Sequence, residues 1–122
     1  VAGHYRWPPP VKVGEEGTIE KANPEFCKMF GVGEEEIVQS KYNLFTDQAI
    51  IDGGVILYLN TLFDEKKPTS WPVDFDIDTA SQSTETATTK QGKIKLGVRG
   101  YPITGENGEL LHVVLQHEEN TD

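Results

Sequence analysis

Apolar positions along this chain change period from segment to segment, and each change marks an element. Val11 and Val13 alternate with Lys12, Gly14-Glu15-Glu16-Gly17 supplies a turn, and Thr18 to Lys21 reads as the returning strand of a hairpin. Asn23-Pro24 then sets a helix start, an N-cap acceptor followed by proline at the first helical position. Phe26, Met29 and Phe30 recur at three- and four-residue spacing and predict one buried helix face, with Gly31 as its stop. Gly33 to Val38 gives a second short helix whose first turn carries Glu34, Glu35 and Glu36, where the macrodipole favours negative charge.

Leu44 to Ile51 reads as a helical turn or two. From Asp52 onward, Val55, Ile56, Leu59, Leu62 and Phe63 predict an amphipathic helix ending near Glu65-Lys66-Lys67, with Pro68 beyond it. The period then drops to two. Trp71, Val73, Phe75 and Ile77 alternate with Pro72, Asp74, Asp76 and Asp78, a strand with one apolar and one acidic face. Pro72 cannot donate to a ladder, which assigns this strand to a sheet edge. Thr79 to Gly92 is rich in Ser and Thr and reads as a loop. Ile94, Leu96 and Val98 form the next strand, and the shift of apolar phase to Tyr101 and Ile103 predicts a bulge at Gly100. Gly105-Glu106-Asn107-Gly108 is a hairpin turn, and the near-continuous apolar stretch from Leu110 to His117 predicts a central strand. Two strands, a helical middle and three strands argue for an α+β domain with an antiparallel sheet.

The bulk numbers narrow the partners. A chain of 122 residues fits one domain with one core. Trp7-Pro8-Pro9-Pro10 is extended and reads as a linker leading in, so residues 1–8 are expected to flank a domain over 9–121. A net charge of −9 opposes binding to nucleic acid or an anionic membrane. The longest apolar run, Val55 to Leu59, is far too short to cross a bilayer, and the N-terminus lacks the pattern of a signal peptide, so a soluble fragment is expected. The lone Cys27 excludes an internal disulfide and suits a reducing compartment.

The element order resembles the PAS (sensory box) fold, a five-stranded antiparallel sheet with short helices packed on one face, and several segments carry the likeness. Gly17-Thr18-Ile19-Glu20-Lys21-Ala22-Asn23-Pro24-Glu25-Phe26 resembles the family's G-x-I-x-x-x-N-x-x-F stretch. Phe30 to Gln39 resembles its x-G-x-x-x-E-E-x-x-G helix, with Gln39 or Ser40 where glycine is usual. Tyr42-Asn43-Leu44-Phe45-Thr46-Asp47 is similar to the Y-N-L-x-x-D segment of PAS domains from bacterial sensor histidine kinases. Pro102 to Leu110 resembles the late P-I-x-D-x-x-G hairpin, and His117-Glu118-Glu119-Asn120-Thr121 the H-E-D-V-T junction, with Glu119 in place of the aspartate. The resemblance implies a cytoplasmic sensory domain of a two-component histidine kinase, non-catalytic itself, taking a small-molecule ligand, joined to an output domain and homodimeric.

A ligand site in such a fold lies between sheet and helices, in a mostly apolar cavity with a few polar groups. Phe45, Ile56, Tyr58 and Leu59 are the candidates on the helical side, and Trp71, Val73, Phe75, Leu96, Val98 and Tyr101 on the sheet. Each also reads as ordinary core. Trp71 and Tyr101 stand out because a buried ring with a polar tip needs a partner. Asn43 is either a polar contact or a helix cap. No cofactor is assigned: the N-C-R-F-L-Q motif of covalent-flavin members is absent, and residues 41–67 offer no histidine for haem. Cys27 reads as a structural thiol. His112 and His117 point to opposite strand faces and cannot chelate one metal. Asp74, Asp76 and Asp78 read as a solvated edge, not a metal site. No nucleophile elbow, zinc helix or phosphate-binding glycine loop is present. Two other readings stand beside the sensor. One is a ligand-free module that dimerises through its sheet face and N-terminal segment, with Tyr5 and Trp7 as anchors; the other is a small α+β enzyme using an aspartate of raised pKa in a cleft.

Overall fold

A computed structural model describes residues 10–40 and 42–119. The chain runs β1 (Pro10–Gly14), β2 (Ile19–Ala22), α1 (Pro24–Phe30), α2 (Glu34–Gln39), α3 (Gln48–Asp52), α4 (Ile56–Phe63), β3 (Thr69–Asp76), α5 (Ile77–Thr84), β4 (Lys93–Thr104) and β5 (Leu110–Glu119). The five strands form one antiparallel sheet in the order β2-β1-β5-β4-β3. The long terminal hairpin β4–β5 therefore joins the two halves, and β5 lies in the centre, as its apolar run predicts. β3 occupies an edge, where the missing N–H of Pro72 costs least.

Local chemistry sets most boundaries. The Asn23 side chain accepts the Phe26 N–H at 2.9 Å, and Gly31 closes α1 in the left-handed region with φ of 66°. Asp47 caps α3 by accepting from Ala49 N at 2.9 Å. Glu34, in the first turn of α2, accepts the Ala22 N–H at 3.0 Å and ties that helix to the edge of the sheet. The core stacks Val11, Val13, Leu96, Val98, Val113 and Leu115 of the sheet against Phe26, Ile37, Ile50, Leu59 and Leu62 of the helices.

Three expectations need correction. The strand predicted through Ile77 stops at Asp76, because the Asp76 carboxylate accepts the Thr79 N–H at 3.2 Å and starts α5 inside the segment read as a loop. This helix buries Ile77, Ala80 and Thr84, and beyond Ile77 its inner face is made of small residues that a count of large apolar side chains passes over. Asp78 leaves the expected acidic row with it and accepts the Gly92 N–H at 3.1 Å. Secondly, the helix expected from Asp52 to the lysines begins only at Ile56, after the Gly53-Gly54 turn, and ends at Phe63. Thirdly, the pairing of β4 runs unbroken through Gly100, and the register shift falls at Ile103/Thr104. Gly100 is itself a core position, and a Cβ there would stand 2.5 Å from Leu62 Cδ1, so the change of apolar phase reflects a helix side chain laid onto bare backbone. The flanking segment 1–8, with Tyr5 and Trp7, and residues 120–122 of the junction lie outside the described residues.

Candidate functional site

Sheet and helices do not close completely on one another. Between them lies a cavity of about 100 Å³. Its sheet wall includes Val13, Trp71, Val73, Phe75, Leu96, Val98, Leu115 and His117, and its helical wall Phe26, Phe30, Ile37, Ile50, Leu59 and Ala80. The strand period produces the sheet wall: Trp71, Val73 and Phe75 pair with Val98, Leu96 and Ile94 across β3–β4, all on the face turned to the helices.

Of the residues proposed from sequence, Trp71, Phe75, Leu96 and Val98 meet at this cavity, together with Val73 and Leu59. The others lie elsewhere among the described residues. Tyr58 stacks on Trp71, ring centroids 5.3 Å apart and 19° from parallel, with its own ring partly in solvent. Phe45 packs edge-on against Phe63 at 5.0 Å. The Asn43 side chain accepts the Phe45 N–H at 2.8 Å and donates to Glu16 O at 2.9 Å, which pins its loop to the β1–β2 turn. Tyr101 is 40% exposed and neighbours Val114 on the other face of the sheet.

Other residues come into view only in three dimensions. His117 is buried on β5 in line with Val113 and Leu115, and its ring lies 5.2 Å from Phe26 and 5.5 Å from Phe30. Phe30 in turn meets Phe75 edge-on at 5.6 Å. This ring cluster joins α1, β3 and the last residues of β5 beside the cavity. The parity of 113, 115 and 117 was the available signal for His117. Across from it, the segment after α5 straps over the end of α1: Thr88 Oγ1 donates to Phe30 O at 2.5 Å, and Thr89 N to Gly31 O at 2.9 Å.

Tyr42 lines the cavity and donates its hydroxyl to Asp47 Oδ2 at 2.6 Å. Asp47 is wholly buried. Burial pushes its carboxyl above the usual range, against the opposing pull of hydrogen bonds from Tyr42, Ala49 and Ile50. Burial first, and the adjacent carboxylate second, hold the Tyr42 phenol well above its ordinary pKa. Asp47 is therefore the raised carboxylate an enzyme would need. It is not among the residues lining the cavity, however, and Tyr42 and the start of α3 engage its oxygens. The Cys27 thiol is pushed up by burial and then by Glu34, which disfavours the reactive thiolate.

No protein-family model and no curated protein matches the sequence. Solved structures do. The PAS domain of a protein from Colwellia psychrerythraea superposes with a TM-score of 0.71 at 12% identity, over 96% of this chain and 89% of that one. A sensory box sensor histidine kinase from Vibrio cholerae gives a TM-score of 0.62 at 17% identity, over 93% and 82%. A light-oxygen-voltage protein of Rhodobacter sphaeroides gives 0.69 at 13% identity over 92% of this chain, which spans only 58% of its length. The chain has the PAS fold.

Proposed function

We propose that the chain is a sensory PAS domain over residues 9–121, with residues 1–8 flanking it, from a cytoplasmic two-component histidine kinase. Its cavity takes a small-molecule ligand, and occupancy is passed along β5 to an attached output domain. The observation that carries this reading is that the cavity wall includes Leu115 and His117, the last inward-facing residues of the strand that leads to the chain's exit. A molecule bound against Phe26, Phe30 and Phe75 shares its contacts with His117. It biases the exit to the extent that it prefers one arrangement of that ring cluster. Catalysis is no part of the proposal, because the raised carboxylate of Asp47 serves to start α3.

Mass spectrometry of gently purified protein, with a thermal-shift screen of small metabolites, tests this. A co-purified molecule, or a saturable stabiliser displaced by substitutions at Val98, supports it. A domain that responds to nothing in its cavity contradicts it.

A second reading rests on the outer face of the sheet, where Tyr101 and Ile103 are 40% and 38% exposed. They would seat a second copy of the domain, with or without ligand. Sedimentation of wild type against Tyr101→Ser checks this, since an unchanged mass removes that role.

A further inference from the structure

Resting on the reading of the cavity as a ligand site, its walls specify what kind of molecule it takes. Volume comes first. About 100 Å³ is somewhat smaller than the roughly 150 Å³ of a dry apolar cavity that admits benzene or xenon. The space therefore holds one small ring with slight adjustment of the walls, and not a fused ring system with a side chain.

Charge comes second. Among the described residues, no lysine, arginine, aspartate or glutamate lines the cavity. His117, its ring set against Phe26 and Phe30, is the one imidazole among the described residues of the wall, so an ionised group carried inside would lose its hydration with no lysine or arginine to meet it, a costly exchange. The hydroxyls in the wall do not change this, because each already donates elsewhere. Tyr42 donates to Asp47, Ser81 to Thr86 O, Thr84 to Ala80 O, Thr86 to Thr84 O and Thr88 to Phe30 O. They remain weak acceptors in a wall that, apart from them and the rings of Trp71 and His117, is aliphatic and aromatic.

We infer that the cavity takes a small, uncharged, apolar molecule of about one ring. Phosphate- or carboxylate-bearing cofactors are poorly matched by a wall without lysine or arginine among the described residues, and larger apolar ones by its volume.

The test uses the 122-residue chain, with xenon and benzene as apolar probes and flavin mononucleotide as the charged, larger one. Methyl NMR follows Val98 and Leu59, which lie on opposite walls. The expected result is a saturable one-to-one shift of both methyl sets with benzene and with xenon, and none with the flavin. Val98→Phe, filling the space from the sheet, and Ala80→Leu, filling it from α5, each lower benzene affinity at least tenfold. If one variant does not fold, the other carries the comparison, and the wild-type contrast between probes stands without either. Flavin mononucleotide moving these methyls would overturn the inference about ligand class and leave the site reading in place. Methyls unmoved by all three probes would overturn both.

Discussion

Gly100→Ala tests how the helical layer is seated on the sheet. Gly100 is buried in β4, opposite Leu115 of β5 and Thr69 of β3. An added Cβ would stand 2.5 Å from Leu62 Cδ1, 2.9 Å from Leu62 Cδ2 and 3.1 Å from Leu115 Cδ2. Carbon atoms rest at about 3.5–4.0 Å, so Leu62 must retreat by roughly 1 Å. It is 0% exposed and has nowhere to go. Overpacking of this kind costs about 1–3 kcal/mol, offset by up to about 1 kcal/mol from the lower backbone entropy of alanine in the unfolded chain. The net loss is about 1–2 kcal/mol, which lowers Tm by roughly 4–8 °C for a domain of this size. The double-mutant cycle sharpens the test. Leu62→Ala alone costs about 2–5 kcal/mol through the cavity it leaves. In that background Gly100→Ala costs much less, because the two closest clashes are gone and only the milder one with Leu115 at 3.1 Å is left. Urea denaturation of the four proteins measures the coupling. An equal cost for Gly100→Ala in both backgrounds, or a gain in wild type, refutes the seating of α4 described here.

Tyr42→Phe leaves the buried Asp47 carboxylate without one donor and costs about 1–3 kcal/mol at neutral pH, with the loss shrinking as pH falls through the raised folded pKa of Asp47 and it takes up a proton. The sign follows from linkage. Asp47 has a folded pKa above its ordinary 3.8, so its ionisation lowers stability as pH rises from that value through the folded one, and Asp47→Asn flattens this part of the curve. Tyr42 is likewise raised above 10.0, so its contribution holds below pH 10 and declines as pH climbs further; Tyr42→Phe removes that decline, as denaturation at pH 9 and 11 reads out. Gly31→Ala forces φ of 66° on an L-residue and drives a methyl to 2.6 Å from Thr89 Oγ1. It costs about 1–3 kcal/mol, and the Thr89 amide exchanges faster with solvent. Asn23→Ala removes the cap on Phe26 N and lowers stability by about 1 kcal/mol, whereas Asn23→Asp retains it.

Strand period and capping residues were legible in the chain, because each acts over a few residues. Asn23-Pro24 gave the start of α1, Pro72 gave the edge strand, and the alternation from Trp71 to Phe75 gave the part of the cavity wall that β3 supplies. What escaped depends on neighbours distant in sequence. The segment from Ile77 to Thr84 is helical because Asp76 caps it and because small residues suffice where α3 lies close. Its composition, Ser and Thr with little apolar bulk, speaks only of loop. Tyr101 looked like a site residue because the apolar phase was followed across Gly100, yet the core position there is filled from Leu62. Of the helix face expected from Phe26, Met29 and Phe30, Phe26 is buried and the other two pack partly buried against the core; that this face ends against His117 is a tertiary fact.

The central claim is that filling the apolar space is felt at the end of β5. Titrating the chain with benzene while recording backbone amide NMR tests it directly. Shifts at Leu115, His117 and Glu118 that saturate in step with those of the Val98 and Leu59 methyls are the predicted result. Saturating methyl shifts with an unmoved end of β5 would contradict it.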